Sequence, residues 1–222
     1  MTNIKFLLVE DIIVFLLVKT IGAIGMETDY EALSKYIEEK SGITLTAEDQ
    51  KQIALAFSKK HLRKRQYLLQ EGDVCKKMAF ITKGAGRIFS VSDKGHEHII
   101  RFAVENWWLG DFESFNYGSP SRYNIEMLED SDLLIISKEN LQPLTDNVQA
   151  FDLMIKEIDK KGAVASQTRI HSSISLNAEE RYEDFVKAYP MLANRFPQNM
   201  IASYLGISPE TLSRIRKNML RN

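Results

Sequence analysis

The sequence predicts an α+β fold, in which an antiparallel β domain is flanked by helices and followed by a small helical domain. Two observations predict this class. In the middle of the chain, short apolar runs alternate with turn residues about every ten residues, which is typical of an antiparallel sandwich or barrel. On both sides, apolar residues recur at helical spacing. The 222 residues are 44% hydrophobic and 27% charged, so the chain can bury a substantial core.

The first 25 residues are predicted to be an N-terminal extension without an assigned function. Residues 6–18 are very apolar, but Glu10 and Asp11 interrupt them, and the run is too short and too charged to span a membrane. The same acids argue against a signal peptide. We favour Met26 as the true start of translation, because the sequence becomes polar and helical after it. The protein is therefore predicted to be cytoplasmic, without a membrane partner.

The rest of the chain divides into four predicted segments. Residues 26–61 are predicted to be helical, with Thr44 or Thr46 capping the second helix and with Ile53, Leu55, Ala56 and Phe57 as its apolar positions. A β domain follows over 62–147, a long helix over 148–174 and a DNA-binding domain over 175–222. The predicted strands are 67–69, 78–82, 87–91, 96–102, 124–128 and 133–136.

The long helix carries a narrow apolar seam. A seam of this kind either packs on its own domain or pairs with its copy in a dimer. Because this helix links the β domain to the C-terminal domain, we predict a homodimer. Gly162 weakens the helix locally, by up to ~1 kcal/mol relative to alanine. The predicted dimerisation residues are Phe151, Met154, Ile155, Ile158, Val164 and Ala165.

Residues 198–217, QNMIASYLGISPETLSRIRK, have the spacing of a helix-turn-helix. Ile201 and Leu205 share one face of the first helix, and the small Ala202 allows a second helix to approach. Gly206 suits the turn, because glycine adopts a left-handed backbone at little energetic cost. Ser208 is a good N-cap. Pro209 follows at the first helical position, where the helix does not use the backbone N–H that proline lacks.

The second helix is predicted to be amphipathic. Leu212, Ile215 and Met219 form its buried stripe, and Glu210, Ser213, Arg214 and Lys217 lie on the opposite side. The net charge of the chain is −1, but residues 195–222 contain five basic side chains against Glu210, a local balance of +4. A basic end on a near-neutral chain is compatible with a module that binds DNA. The small residue, the turn glycine and the four apolar positions together argue against a helical hairpin with a merely solvated charged face.

The composition argues against several other classes of protein. A single cysteine, Cys75, excludes an intrachain disulfide and an all-cysteine iron–sulfur cluster within one chain. No haem or other metal site is predicted, since none of the four histidines has a diagnostic context. His96 and His98 share one face of a predicted strand, as in metal-dependent cupin enzymes, but Phe102 and Ala103 replace the expected third ligand. No catalytic residues and no enzyme activity are predicted.

The order of β domain, long helix and helix-turn-helix resembles the Crp/Fnr family of bacterial transcription regulators. Its most specific motifs are QEGD at 70–73, TKGAGRIF at 82–89, WWLGDFESF at 107–115 and the helix-turn-helix. The stretch AEERYEDFVKAYP, at 178–190, is similar to the Bacteroidetes branch of that family. The resemblance covers about residues 62–218 and implies a jelly-roll β-roll of the cyclic-nucleotide-binding type, a dimerisation helix and a winged-helix DNA-binding domain.

The resemblance also implies an effector site in the loop 110–124. Asp111 stands where cyclic-nucleotide binders usually have glutamate, and Tyr123 and Asn124 replace a small hydroxyl residue and alanine. These departures argue against cyclic AMP, and three alternatives stay open: a cyclic nucleotide, a different small ligand, or no ligand. The adjacent Trp107 and Trp108 either stack on a planar ligand or plug the end of the β-roll. The ligand-binding residues implied by the resemblance are Gly110, Asp111, Ser114, Ser119, Ser121 and Arg122.

On the DNA side, the resemblance places base contacts at the start of the second helix. Arg214 can donate to guanine and Glu210 can accept from cytosine, whereas Pro209 replaces an arginine that the family often has there. The implied partners are double-stranded DNA, a second copy of the chain and, for an activator, RNA polymerase. The alternative is a ligand-binding adaptor whose C-terminal hairpin contacts protein. The predicted DNA-binding residues are Gln198, Ser208, Pro209, Glu210, Thr211, Ser213, Arg214, Arg216 and Lys217.

Overall fold

The computed structural model of the chain describes residues 29–219. The predictions about residues 1–25, and the contribution of Arg221 to the basic C-terminus, lie outside this range. Helix α1 runs through residues 29–41, where the described part begins. The following elements are α2 (Ala47–Ala56), β1 (Phe57–Leu62), β2 (Tyr67–Leu69), β3 (Lys77–Lys83), β4 (Gly86–Val91), β5 (Glu97–Ala103), β6 (Trp108–Leu109), α3 (Phe112–Tyr117), β7 (Asn124–Met127) and β8 (Ser131–Ser137).

The remaining elements are helical. They are α4 (Lys138–Asn147), the long α5 (Gln149–Ser175), α6 (Ala178–Ala188), α7 (Pro190–Arg195), α8 (Gln198–Leu205) and α9 (Pro209–Met219). None of the helices within residues 29–219 combines the length and the apolar character needed to cross a membrane. The order of strands followed by a long helix and short C-terminal helices confirms the predicted α+β class.

The eight strands form two antiparallel four-stranded sheets, ordered β1-β8-β3-β6 and β2-β7-β4-β5. Gly84 turns the chain from β3 into β4 with a φ of +95°, a conformation that L side chains rarely adopt. A Cβ at this glycine would lie 2.2 Å from Ser131 Oγ and 2.8 Å from the Asp130 carbonyl oxygen. The TKGAG motif therefore serves a close approach between two turns of the β-roll.

Strand β1 was not predicted, because the sequence pattern assigned its residues to a helix. Thr46 does cap α2 with a capping box, in which its hydroxyl accepts from the Asp49 N–H. The helix ends at Ala56, however, and Phe57–Leu62 then pairs with β8 along its whole length. Only the two terminal residues of β1 are buried, so the strand has no apolar alternation. Its solvated, lysine-containing middle suits the edge of a sheet.

The main core lies between the two sheets and extends under helices α1, α2 and α4. The start of α5 belongs to this core, since Phe151 and Met154 are completely buried. Phe151 contacts the Phe57 ring edge-on, with ring centroids 6.2 Å apart. The first half of the predicted dimerisation seam is thus packed within one chain.

The C-terminal helices form a second core together with the outer face of β4 and β5. The Phe102 and Phe196 rings are stacked, with centroids 4.5 Å apart. The Ser203 hydroxyl accepts from the Ile99 N–H at 3.0 Å and donates to the Glu97 carbonyl at 2.9 Å. These contacts dock the C-terminal domain on the β-roll of the same chain.

Arg195 adds an ionic clamp to this interface. Its guanidinium donates two hydrogen bonds to the Glu105 carboxylate, at 2.7 and 2.8 Å, and two to the Glu129 carboxylate, at 2.8 and 2.7 Å. The arginine holds the pKa of the Glu105 carboxyl at about 2 and also lowers the pKa of Glu129. Arg195 therefore joins the C-terminal domain to two turns of the β-roll, and its charge is already neutralised.

Candidate nucleic-acid interface and effector loop

Helices α8 and α9 form the predicted helix-turn-helix. Gly206 ends α8 with a φ of +67°, and the Ile207 N–H returns to the Ala202 carbonyl at 3.0 Å. The Ser208 hydroxyl then accepts from the Thr211 N–H at 3.2 Å, as expected of the cap of α9. The turn glycine and the cap serine therefore have the structural roles that their spacing predicted.

The apolar residues of the motif hold the two helices together. Ile201, Ala202 and Leu212 are completely buried, and Ile215 is 5% exposed. Met219 differs from the prediction, because it is 38% exposed at the last described turn of α9. The buried stripe of α9 consists of Leu212 and Ile215.

The opposite face of α9 is open to solvent. Glu210, Ser213, Arg214 and Lys217 are exposed, and no ion pair among residues 29–219 involves Arg214 or Lys217. The pKa of the Glu210 carboxyl is lowered by hydrogen bonds at the start of the helix, so this residue is an ionised acceptor at neutral pH. Among the other predicted DNA-binding residues, Gln198, Ser208 and Pro209 are exposed, and Thr211 and Arg216 are half-buried.

The basic character of this face is smaller than the count over residues 195–222 indicated. Arg195 was part of that count, but its clamp on Glu105 and Glu129 holds it at the interface with the β-roll. Arg214, Arg216 and Lys217 remain on α9 as the described cations against Glu210. Charge count along the sequence could not separate a cation in an intramolecular ion pair from one available to phosphate.

The predicted effector loop folds around the short helix α3. Asp111 is its N-cap, and one carboxylate oxygen accepts from the Glu113 N–H at 3.0 Å and from the Ser114 N–H at 3.2 Å. The other carboxylate oxygen accepts from the Ser121 hydroxyl at 2.7 Å. Asp111 and Ser121 are both buried. The backbone N–H groups that a phosphate needs at a helix N-terminus are therefore already bound to a carboxylate of the same loop.

The other predicted ligand-binding residues also have internal partners. The Ser114 hydroxyl donates to the Ser119 carbonyl at 2.6 Å and accepts from the Cys75 N–H at 2.8 Å. Gly110 faces the Met78 side chain, since a Cβ at this glycine would lie 2.3 Å from the Met78 Sδ. The structure thus brings Gly110, Asp111, Ser114, Ser119 and Ser121 together, but the Asp111 carboxylate and the Ser114 and Ser121 hydroxyls are bonded to neighbouring groups of the same chain.

Arg122, the remaining predicted ligand-binding residue, points away from this cluster. Its side chain is 72% exposed and donates to the Glu113 carboxylate at 2.8 Å. A cyclic nucleotide needs free N–H donors and an inward-facing cation at its phosphate. In this loop the Glu113 and Ser114 N–H groups are bound to Asp111, and Arg122 is turned to solvent. These residues do not fit a cyclic nucleotide.

Four side chains singled out in the sequence lie elsewhere in the β domain. Trp108 is 8% exposed and contacts the Phe80 ring edge-on in the core. This burial agrees with the alternative in which the tryptophan plugs the end of the β-roll. Burial raises the pKa of the Cys75 thiol. His96 and His98 are exposed, and residues 29–219 contain no group of three or more ligating side chains that could hold a metal ion.

The second half of α5 is much more exposed than the first. Ile155 and Ile158 are half-buried against the core of the β-roll, whereas Val164 is 60% exposed and Ala165 is also exposed. Two further isoleucines, Ile170 and Ile174, are 60% and 78% exposed and lie four residues apart on one face. The predicted dimerisation residues did not include these two isoleucines, although their spacing of four residues could have identified them.

Sequence reasoning also missed Arg101, which lies at the junction of β5 and α5. It is half-buried, and its Nη2 donates to the Trp108 carbonyl at 2.9 Å. Arg169 on α5 donates to the Ile100 carbonyl and, at 3.3 Å, to the Tyr204 carbonyl of α8. The signal for Arg101 was its position as a lone charge in the apolar run IIRFA.

Comparison with known proteins identifies relatives of this chain. The profile of the cyclic nucleotide-binding domain matches residues 59–147. The anaerobic regulatory protein of Pasteurella multocida is 27% identical over 168 residues, which cover 71% of this chain and 61% of that protein. The transcriptional activator protein Anr of Pseudomonas protegens is 25% identical over 172 residues, covering 72% of this chain and 70% of that protein. The chain thus spans about three fifths of the length of the first relative.

Solved structures share the fold. FixK2 from Bradyrhizobium japonicum superimposes with a TM-score of 0.64 at 17% identity, over 74% of this chain and 85% of that protein. A CooA mutant from Carboxydothermus hydrogenoformans gives a TM-score of 0.63 at 16% identity, over 75% and 78% of the two chains. The β-roll, the long helix and the C-terminal helices therefore occur together in known proteins, and the predicted resemblance is confirmed.

Proposed function

We propose that this chain, which has a cyclic nucleotide-binding domain and relatives among the Crp/Fnr regulators, is a DNA-binding transcription regulator. The observation that carries the proposal is the amphipathic division of α9. Leu212 and Ile215 fix the helix to its domain, while Glu210, Ser213 and Arg214 project into solvent without structural partners on the β-roll. A helix with this division can enter the major groove of DNA.

The exposed side chains of α9 match the chemistry of base and phosphate contacts. Arg214 can donate two hydrogen bonds to guanine O6 and N7, and the ionised Glu210 can accept from cytosine N4. Lys217 and Arg216 can contact backbone phosphates, together with Gln198 at the start of α8. We expect Thr211 and Ser213 to contribute hydroxyl donors to the phosphates, and Pro209 to leave one base position of the operator without a contact.

The proposed regulator is a homodimer that acts in the cytoplasm. Val164, Ile170 and Ile174 are large apolar side chains left exposed on the second half of α5, and a partner helix would cover them. A dimer presents two copies of α9 to half-sites about 34 Å apart, one turn of DNA. In an activator, the DNA-bound dimer would also contact RNA polymerase. An effector would act by favouring one arrangement of the two C-terminal domains.

DNA binding is tested by selecting genomic fragments that the purified protein retains, followed by fluorescence anisotropy with a labelled duplex. The affinity of the wild type should fall steeply as salt rises, because phosphate contacts release counterions. Arg214→Ala should weaken binding by about 1–3 kcal/mol and relax the preference at one base pair in each half-site. Lys217→Ala should weaken binding to all sequences equally and reduce the salt slope by about 1.

Arg122→Ala is the matched control, because Arg122 is also exposed but lies on the effector loop of the β-roll. Its affinity for the duplex should equal that of the wild type. If the wild type retains no fragment, or if Arg214→Ala binds every sequence as the wild type does, the regulator is excluded. The ligand-binding adaptor is then the remaining interpretation.

A further inference from the structure

A cluster of exposed cations lies where β1 passes into β2. Residues 58–66 read SKKHLRKRQ. Four of their cations are exposed and form no ion pair with any residue from 29 to 219. We call these four side chains the basic surface, and they are Lys60, Arg63, Lys64 and Arg65. The contacts of α8 and α9 proposed above do not include them.

The carboxylates next to the basic surface do not cancel its charge. Asp29 is bonded to Lys59 at 2.6 Å, and the Asp132 carboxylate lies 2.7 Å from the His61 ring nitrogen. Asp130 accepts from a backbone N–H of the turn between β1 and β2, and four cations outweigh this carboxylate. The whole chain has a net charge of −1. The basic surface is therefore a local concentration of positive charge, which attracts a polyanion.

The basic surface adjoins the C-terminal domain. Its turn is fixed by the Lys64 backbone N–H, which donates to the Asp130 carboxylate at 2.8 Å. The preceding residue, Glu129, is bound at 2.7 Å by Arg195, the last residue of α7. Arg195 lies three residues before Gln198, which is exposed at the start of α8 and is a proposed phosphate contact. A continuous series of contacts thus links the basic surface to the domain that is proposed to bind DNA.

The composition of this surface suits the backbone of double-stranded DNA. Protein–protein interfaces have an apolar core that is enriched in aromatic residues and depleted in lysine. Residues 58–66 expose no large apolar side chain, because Leu62, the single apolar residue among them, is only 7% exposed. Protein–DNA interfaces are polar and positively charged, and most of their hydrogen bonds go to phosphate and sugar. An acidic protein is the competing partner, and it lacks an apolar anchor here.

We propose that the basic surface contacts the phosphates of the DNA that flanks each operator half-site. The proposal rests on the proposed function and adds to it a second contact, made by the β-roll rather than by the helix-turn-helix. Because phosphates carry no base identity, this contact raises the affinity for longer DNA without changing the preferred operator. A duplex that ends at the edge of the operator cannot reach the basic surface and binds through α8 and α9 alone.

Two duplexes separate the flanking contact from the operator contact. The core duplex contains two half-sites in about 20 base pairs, and the extended duplex adds about 20 base pairs on one side. One extension engages the basic surface of one protomer. In fluorescence anisotropy at about 50 mM salt, the wild type should bind the extended duplex at least about fivefold more tightly. Its salt slope should be steeper by about 1–2, whatever the base sequence of the extension.

The test variant is Arg63→Gln/Lys64→Gln, which removes two charges and keeps polar side chains on an exposed turn. It should bind the core duplex as the wild type does, and it should lose both the gain in affinity and the added salt slope on the extended duplex. Melting temperatures equal to that of the wild type show that the turn is folded. If this variant does not fold, Lys60→Gln on β1 provides the second test and should lose part of the gain.

The matched control is Lys76→Gln/Lys77→Gln. These two lysines are also exposed cations of the β-roll without an ion pair in the described part of the chain. Lys77 begins β3, whereas Lys83 ends it about 20 Å further on, beside Asp132 and the end of β1. The control should keep the full gain on the extended duplex.

Each outcome decides between the flanking contact and its competitors. An unchanged gain in Arg63→Gln/Lys64→Gln overturns the proposal and leaves an acidic protein as the partner of the basic surface. An equal loss of gain in the control also overturns it, because the effect then comes from total charge. A wild type that binds both duplexes equally retains the regulator and rejects the flanking contact. A wild type that binds neither duplex rejects the proposed function itself.

Discussion

The ionic clamp of Arg195 provides a quantitative prediction for how the C-terminal domain is held on the β-roll. Arg195→Met keeps the length and apolar part of the side chain but removes four hydrogen bonds to Glu105 and Glu129. The two carboxylates then face each other without the cation between them, and each raises the pKa of the other. We expect the free energy of unfolding to fall and the C-terminal domain to loosen first.

The magnitude follows from the pKa of Glu105. A fall from 4.5 to about 2 corresponds to about 3 kcal/mol if the whole effect were retained. The side chains of Arg195, Glu105 and Glu129 are 25%, 35% and 39% exposed, so solvent screening reduces this contribution. With a reduction of about one half, and with a smaller contribution from Glu129, the expected loss is about 2 kcal/mol at pH 7.

The loss should depend on pH with a definite sign. The pKa of Glu105 is depressed in the folded protein, so its stabilisation is fully present above the unfolded pKa of about 4.5 and is lost as the pH falls toward about 2. The difference between wild type and Arg195→Met should therefore be constant from pH 7 to about 5 and shrink below it. Urea unfolding followed by tryptophan fluorescence at pH 7, 5 and 3.5 measures this difference.

Arg122→Met is the matched control, since Arg122 forms an exposed ion pair with Glu113. It should have no measurable effect on urea unfolding at any of these pH values. A loss below about 0.5 kcal/mol for Arg195→Met at pH 7 would refute the clamp as a stabilising contact. An undiminished loss at pH 3.5 would refute its attribution to the ionised glutamates.

Two further substitutions test the β-roll by urea unfolding. Arg87→Met should lower the free energy of unfolding by about 3–5 kcal/mol, because it leaves the Glu126 carboxylate, in a residue only 8% exposed, without its cation. The control Lys156→Met removes an exposed ion pair and should change the free energy of unfolding little. Equal effects of the two substitutions would contradict this prediction. Gly84→Ala should lower the free energy of unfolding by at least about 1 kcal/mol more than Gly95→Ala, because both glycines have positive φ but only a Cβ at Gly84 meets Ser131. Similar losses for the two variants would show that the backbone shifts to relieve the contact with Ser131.

The helix-turn-helix could be read from the sequence because its determinants are local. Ile201, Gly206 and Ser208 act on residues within one or two turns of themselves, and the structure gives each its expected place. Most strands of the β-roll were predicted for the same reason, since alternation and turn residues are short-range patterns. Strand β1 was not, because its stability comes from pairing with β8, about 75 residues away along the chain.

The effector loop shows where a motif alone is insufficient. Its glycine, acid, serines and arginine were all identified in the sequence, and the departure at Asp111 already argued against cyclic AMP. Only the fold shows that Asp111 turns inward onto the N–H groups of α3 and that Arg122 turns outward to Glu113. The direction of a loop side chain depends on which partner it reaches first, and sequence spacing does not contain that information.

By itself, the sequence determined the α+β class, the order of β domain, long helix and C-terminal helices, and the amphipathic character of α9, because burial periodicity and capping are properties of neighbouring residues. The tertiary structure decided which charges are available. It placed Arg195 in a clamp, Arg214 on an open face, and Arg101 against the Trp108 carbonyl, where no carboxylate of residues 29–219 forms an ion pair with it. Three arginines of equal formal charge thus differ in role, because the electrostatic free energy of a charge is set by its burial and its partners, which come from distant parts of the chain.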